Sequence, residues 1–243
     1  MSSDRQRNED ALFTVVVGAL KRWLDKVRTK VMAPFDQYRM QPDPSAVYAT
    51  QADWDSEVDT ILTHIGQIAM DAWSEASEVP PVSRHAFVMA QLAMTQNFLT
   101  RIPDEVYHLV FAELADGINA GNDIDKLAAR VDNVLSWTGS ENWTGRARLI
   151  AMTETTRAYG AGTLAAGMEQ SRVTGRLLQK RWDTEKDRKV RATHEAVDGQ
   201  VQQLGMPFYV GGYPLMFPGD PMGPADEVCN CRCDLVITNE RGR

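Results

Sequence analysis

Cysteine is scarce in this sequence: three residues in 243, all within Cys229-Asn-Cys231-Arg-Cys233. An odd number crowded into one short stretch excludes a disulfide framework and points to a reducing compartment. Long apolar runs are missing too. The longest, Phe13 to Leu20, falls well short of the ~18 residues of a membrane span and leads straight into Lys21-Arg22. The opening residues are mixed in charge, and no small-residue cleavage site follows them. The expectation is a soluble protein with no membrane partner, not exported by a standard route. An excess of basic charge is also lacking. The 26 Lys and Arg stand against 33 Asp and Glu, so general coating of duplex DNA is disfavoured. Glycine and proline are too few for collagen-like or low-complexity classes, and 43% hydrophobic residues allow a sizeable core.

From residue 8 to about 172 the periodicity is helical almost throughout. Leu12, Val15, Val16, Ala19, Leu20, Trp23 and Val27 recur at three- and four-residue spacing, and Pro34 is expected to stop this first helix. Thr50 and Asp53 resemble a capping box ahead of a stripe running from Trp54 through Val58, Ile61, Ile65 and Ala69 to Trp73. Ser83 is the expected N-cap of a third helix and Pro103 the first residue of a fourth. That fourth helix presents Val106, Leu109, Val110, Leu114 and Ile118. A fifth carries Ile124, Leu127, Val131 and Leu135 and breaks at Gly139. The sixth, from about Glu141 to Ser171, is rich in small residues: Ala158, Gly160, Ala161, Gly162, Ala165, Ala166 and Gly167. Each helical glycine costs roughly 1 kcal/mol, so this run implies close packing against a partner helix or subunit.

The texture changes near residue 175. Eight of 17 glycines and five of 11 prolines lie in 175–243, among short apolar alternations ending at Trp182, Leu204 and Ile237. Turn signals separate them: Asp198-Gly199, Gly211-Gly212 and Pro218-Gly219-Asp220-Pro221. The fold class read from this pattern is α+β. A mostly helical domain over 1–172 precedes a small, loop-rich α+β domain over 173–243.

Polar chemistry concentrates in that second domain. Asp187, Arg191 and His194 are spaced i, i+4, i+7, so a helix would place them on one face and pair Asp187 with Arg191. Cys229, Cys231 and Cys233 alternate and would share one face of a strand.

These residues carry a resemblance. The string Trp182-Asp-Thr, then Asp187-Arg-Lys-Val-Arg191-Ala-Thr-His194, then Asp198-Gly199, resembles the hallmark of phage Mu F-like minor head proteins, also called the SPP1 gp7-type head morphogenesis family. Phe208, Pro218-Gly219-Asp220-Pro221, Glu227-Val228 and Asn230-Cys231-Arg232-Cys233 follow in the family's order. Upstream, Ile150 to Thr155 and Ala158 to Gly162 resemble its helical lead-in. The specific motifs cover about 147–237. Met152 stands where the family often has Arg, and Cys229 where it often has Ile or Val, so Cys229 reads as a small buried hydrophobe. The resemblance implies a low-copy component of a tailed-phage or prophage virion, inside the capsid near the portal vertex. It implies the host cytoplasm during assembly, the portal protein as partner, and a role in procapsid assembly and DNA packaging or ejection. Major capsid or scaffold protein and packaged DNA are further partners on this reading. The alternative is an injected effector or nucleic-acid-acting enzyme with its active part in the C-terminal domain. Some relatives carry fused enzymatic domains, for which this length leaves no room.

For the site, two readings stand. His194 with Cys231 and Cys233 offers three zinc ligands, and Cys229 or Asp198 a fourth. A C-x-C pair in an extended strand, however, holds its sulfurs apart, which favours a hydrogen-bonded polar cluster with no cofactor. Asp187, His194, Asp198 and Asp220 lack any nucleophile or phosphate loop beside them, so no catalytic residue is assigned. Trp182 reads as core, Asp220 as an organiser of its turn, and Glu154 as a partner of Arg157. Lys21, Arg22, Lys26, Arg28 and Lys30 are the residues that would touch packaged DNA, weakly and with steep salt dependence; a solvated helix face explains them more simply.

Overall fold

A computed structural model of the chain describes residues 3–82, 85–137 and 141–239. The Ser83 cap and the Gly139 break lie outside the described residues. Six long helices come first: α1 (Ser3–Tyr38), α2 (Gln51–Ala76), α3 (Ala86–Leu99), α4 (Ile102–Asn119), α5 (Ile124–Leu135) and α6 (Glu141–Thr174). Short elements follow: β1 (Gln179–Asp183), α7 (Ala192–Glu195), β2 (Val201–Gln203), β3 (Phe208–Val210), β4 (Tyr213–Leu215), α8 (Ala225–Val228) and β5 (Asp234–Thr238). The fold is α+β, as the sequence implied.

The chain divides into two compact units. One comprises Met1–Phe13, Leu62–Thr95 and Arg148–Arg243; the other comprises Thr14–Ile61 and Gln96–Ala147. Among its described residues, the second has only helices as regular elements. Trp23 and Trp54 meet at 5.0 Å between ring centroids in its core, and each buried indole is satisfied: Trp23 Nε1 donates to Thr50 Oγ1 and Trp54 Nε1 to the Leu99 carbonyl. That use of Thr50 explains why the expected capping box is absent. Thr50 closes a short 3₁₀ helix, Pro44–Thr50, that runs straight into α2, and Asp53 pairs with Lys26. Pro34 does not stop α1 either. The proline removes one backbone bond, while Val27, Val31 and Met32 in the turns before it stay buried; α1 ends later, where Arg39 adopts φ 54 and its N–H bonds the Phe35 carbonyl. On α4, Val106, Val110 and Leu114 are buried as expected, but Leu109 and Ile118 are about half exposed. Three positions suffice for the stripe facing the core, and these two flank it.

The first unit builds the C-terminal module on α6. Its small residues are all buried, and they serve close approach within the chain. A Cβ on Gly162 would lie 2.1 Å from the Ala69 carbonyl oxygen of α2, one on Gly160 would lie 2.5 Å from Phe217, and one on Gly167 2.7 Å from Ile237. Against this platform lies an antiparallel three-stranded sheet, ordered β2-β1-β5, with Trp182 opposite Leu235. A separate hairpin, β3-β4, turns on Gly211-Gly212, both at positive φ (58 and 88), which suits a two-residue loop. The sequence marked the turn but not the three-residue strands beside it. Trp182, Phe208, Phe217, Leu204, Leu215 and Leu235 form the module's core with Leu164 of α6.

Candidate functional site

The expected helix over Asp187–His194 does not form. Only Ala192–Glu195 is helical, because Arg191 is extended (φ -67, ψ 146) and the residues before it turn. Asp187 therefore pairs with Arg232, at 2.7 Å and 2.8 Å, and accepts the Lys189 N–H. The Arg232 guanidinium, then that N–H, hold its carboxyl far below the usual range. Arg191 instead donates to the Cys229 carbonyl. The alternating cysteines do not share a strand face, since β5 begins only at Asp234. Asn230 takes φ 55, bending the chain ahead of Cys231.

That bend converges with α7. His194 Nδ1 lies 3.3 Å from Cys233 Sγ and 3.6 Å from Cys231 Sγ. All three side chains are buried, His194 at 2% exposure, and their donor atoms lie within 4.8 Å of one another. On the other side of the ring, Nε2 lies 3.1 Å from Glu227 Oε2, which also accepts from Thr193 Oγ1 at 2.9 Å. A carboxylate only accepts, so a neutral imidazole in this place would hold its proton on Nε2, facing Glu227, and direct the Nδ1 lone pair at the sulfurs. The Cys231 thiol is drawn down, first by the hydrogen bond from Cys233, against burial; donating that bond, together with burial, pushes Cys233 up. The Trp182 ring closes the cluster edge-on to His194, at 5.5 Å. It is core, as expected.

α6 positions this cluster through residues that carried no signal of their own. Thr153 Oγ1 accepts the Asn230 N–H, and Thr156 Oγ1 donates to the Cys231 carbonyl. Arg5, from the start of α1 and fully buried, bonds Thr156 Oγ1, the Cys233 carbonyl and Asp234. Glu154 and Arg157 form a buried ion pair at 2.8 Å, joined by Thr95, while Arg157 Nε donates to the Gly219 carbonyl. Asp220 organises the Pro218-Gly219-Asp220-Pro221 turn by accepting the Met216 and Met222 N–H groups. Asp198 accepts the Thr184 N–H and hydroxyl, and Gly199 (φ 74) donates to the Trp182 carbonyl. Neither Asp198 nor Cys229 joins the His194 cluster among the described residues. Sequence reasoning missed Arg5, Thr153, Thr156 and, as a partner of His194, Glu227. Arg5 had no readable signal, being 228 residues from Cys233.

The basic stretch on α1 belongs to the second unit. Arg22 pairs with Glu57, Lys26 with Asp53 and Arg28 with Asp132, while Lys21 stands 4.9 Å from the centroid of Trp137. Lys30 is exposed on the same helix. No helix among the described residues is long and apolar enough to cross a membrane.

Comparison with known proteins follows these motifs. The profile of the family described as Phage Mu protein F like protein matches residues 109–236, just over half of the chain. The Minor head protein GP7 of Bacillus phage SPP1 is 29% identical over 133 residues, which are 54% of this chain and 41% of that protein. The match thus spans about two-fifths of the relative's length. No solved structure matches at a significant level. The matched span takes in most of α4, all of α5 and α6, and the module up to β5, and on that basis the chain belongs to the Mu F-like family of phage head morphogenesis proteins.

Proposed function

We propose that this chain is a minor head protein of a tailed phage or prophage, a virion component that contacts the portal protein inside the capsid and assists head assembly and the passage of DNA. The observation that carries the reading is the family match over residues 109–236, which covers the His194, Cys231 and Cys233 cluster and the helix that supports it. The likeness to a protein named for the minor head of phage SPP1 supports the same assignment. A structural role, without turnover, fits how the acidic residues are engaged: Asp187, Asp198 and Asp220 each bind backbone N–H groups of their own module. Co-expression with the portal protein of the same phage, followed by size-exclusion chromatography, tests the partner. Co-elution of the two is the expected result. Independent elution overturns the portal contact.

A further inference from the structure

We propose that His194, Cys231 and Cys233 bind one zinc ion through Nδ1 and the two sulfurs, with Glu227 as the positioning residue for the imidazole. The proposal concerns this module alone and stands whether or not the portal is the partner.

Distance is the first argument. With Zn–S near 2.3 Å and Zn–N near 2.0–2.1 Å, tetrahedral coordination separates an imidazole nitrogen from a thiolate sulfur by about 3.6 Å. The two separations here are 3.3 Å and 3.6 Å. The objection that C-x-C spacing splays its sulfurs applies to an extended strand. Both cysteines precede β5, and their sulfurs lie within 4.8 Å of each other, which removes it.

The second argument is the proton on the histidine. A zinc-bound imidazole must be neutral, with its other nitrogen usually donating to a carboxylate that fixes the ring. Glu227 occupies that place at 3.1 Å, itself held by Thr193. Without a metal, the lone pair of Nδ1 faces two thiols in a buried space, and this elaborate orientation serves one weak S–H bond.

Charge is the third. Two thiolates and a neutral imidazole balance the charge of a divalent cation within the ligand set, which a buried environment requires. Donors already face the sulfurs: the Cys233 backbone N–H is directed at Cys231, and the buried Trp182 indole N–H has no oxygen or nitrogen acceptor and acts on Cys233. Two sulfurs and one nitrogen in this geometry select zinc over magnesium or calcium, and fall short of the four thiolates of an iron–sulfur cluster. No fourth side-chain donor joins among the described residues, so a water completes the shell. Burial of all three ligands makes the ion a cross-link between α7 and the Cys229–Cys233 segment.

The test uses the full chain, expressed with zinc present and purified without chelators. Elemental analysis should find one zinc per chain in the wild type and in Cys229→Ser, and far less in Cys231→Ser and His194→Ala. Glu227→Gln should keep zinc but lose it to a competing chromophoric chelator at a 10–100-fold lower chelator concentration. Cobalt(II) added to stripped wild-type protein should give a thiolate charge-transfer band and the intense visible bands of a tetrahedral site, a readout that survives if the variants misfold. A wild type that takes up neither zinc nor cobalt overturns the proposal. So do a Cys231–Cys233 disulfide in non-reducing peptide maps and full zinc occupancy in Cys231→Ser.

Discussion

Gly162 and Gly66 make a matched pair for testing how the helices of the first unit are held together. Both lie inside long helices, and replacing a helical glycine by alanine gains roughly 1 kcal/mol in propensity. At Gly66 a Cβ would meet only Leu92 Cδ1 at 3.6 Å, an ordinary contact, so Gly66→Ala should stabilise the protein by about that amount. At Gly162 the same methyl would fall 2.1 Å from the Ala69 carbonyl oxygen and 3.0 Å from its carbon. That neighbour is backbone and has no rotamer to give way. The two helices must part, which places the cost at or beyond the upper end of the ~1–3 kcal/mol seen for overpacking. Net of propensity, Gly162→Ala should destabilise by about 2 kcal/mol. For a chain of this size each kcal/mol moves the melting midpoint by ~2–4 °C, so the two variants should diverge clearly in thermal and urea melts. Equal shifts of the same sign would refute the close approach of α6 to α2.

Arg157→Met should destabilise the first unit by ~3–5 kcal/mol in urea melts, because it leaves Glu154 buried without its cation and the Gly219 carbonyl without its donor. Asp187→Asn should flatten the acid limb of stability. The wild-type contribution is present above the ordinary aspartate range and is lost as pH falls through the depressed folded value, so the urea midpoints should start to draw together only below about pH 4. Lys180 gives a slope of the same sign at alkaline pH, but from a charge that burial destabilises. Burial lowers its pKa to about 8, so between pH 8 and the ordinary lysine value the unfolded chain binds more protons, and wild type should gain stability relative to Lys180→Met as pH rises. Flat difference curves in either pH series would count against the corresponding burial or pairing.

Sequence alone settled the helical periodicity, the change of texture near residue 175, the turn glycines and the family hallmark. These are local or near-local properties: spacing of apolar residues, positive φ at Gly199 and Gly211, and turn geometry at Asp220. It erred where one residue type serves two structures. Asp187 and Arg191 have helical spacing, yet the arginine of Asn230-Cys231-Arg232-Cys233, distant in sequence, takes the aspartate, and the peptide between them turns instead. Pro34 reads as a stop, but the burial of Val31 and Met32 just before it outweighs one missing bond. The strand drawn through the three cysteines failed because Asn230 bends it. Only the tertiary structure brought His194 to Cys231 and Cys233, set Glu227 behind the ring, and placed Arg5 of the first helix under the Cys233 carbonyl. Such contacts join residues 33 to 228 positions apart. No periodicity encodes them; they follow from which helix faces must be buried together, and the glycines of α6 determine how close those faces come.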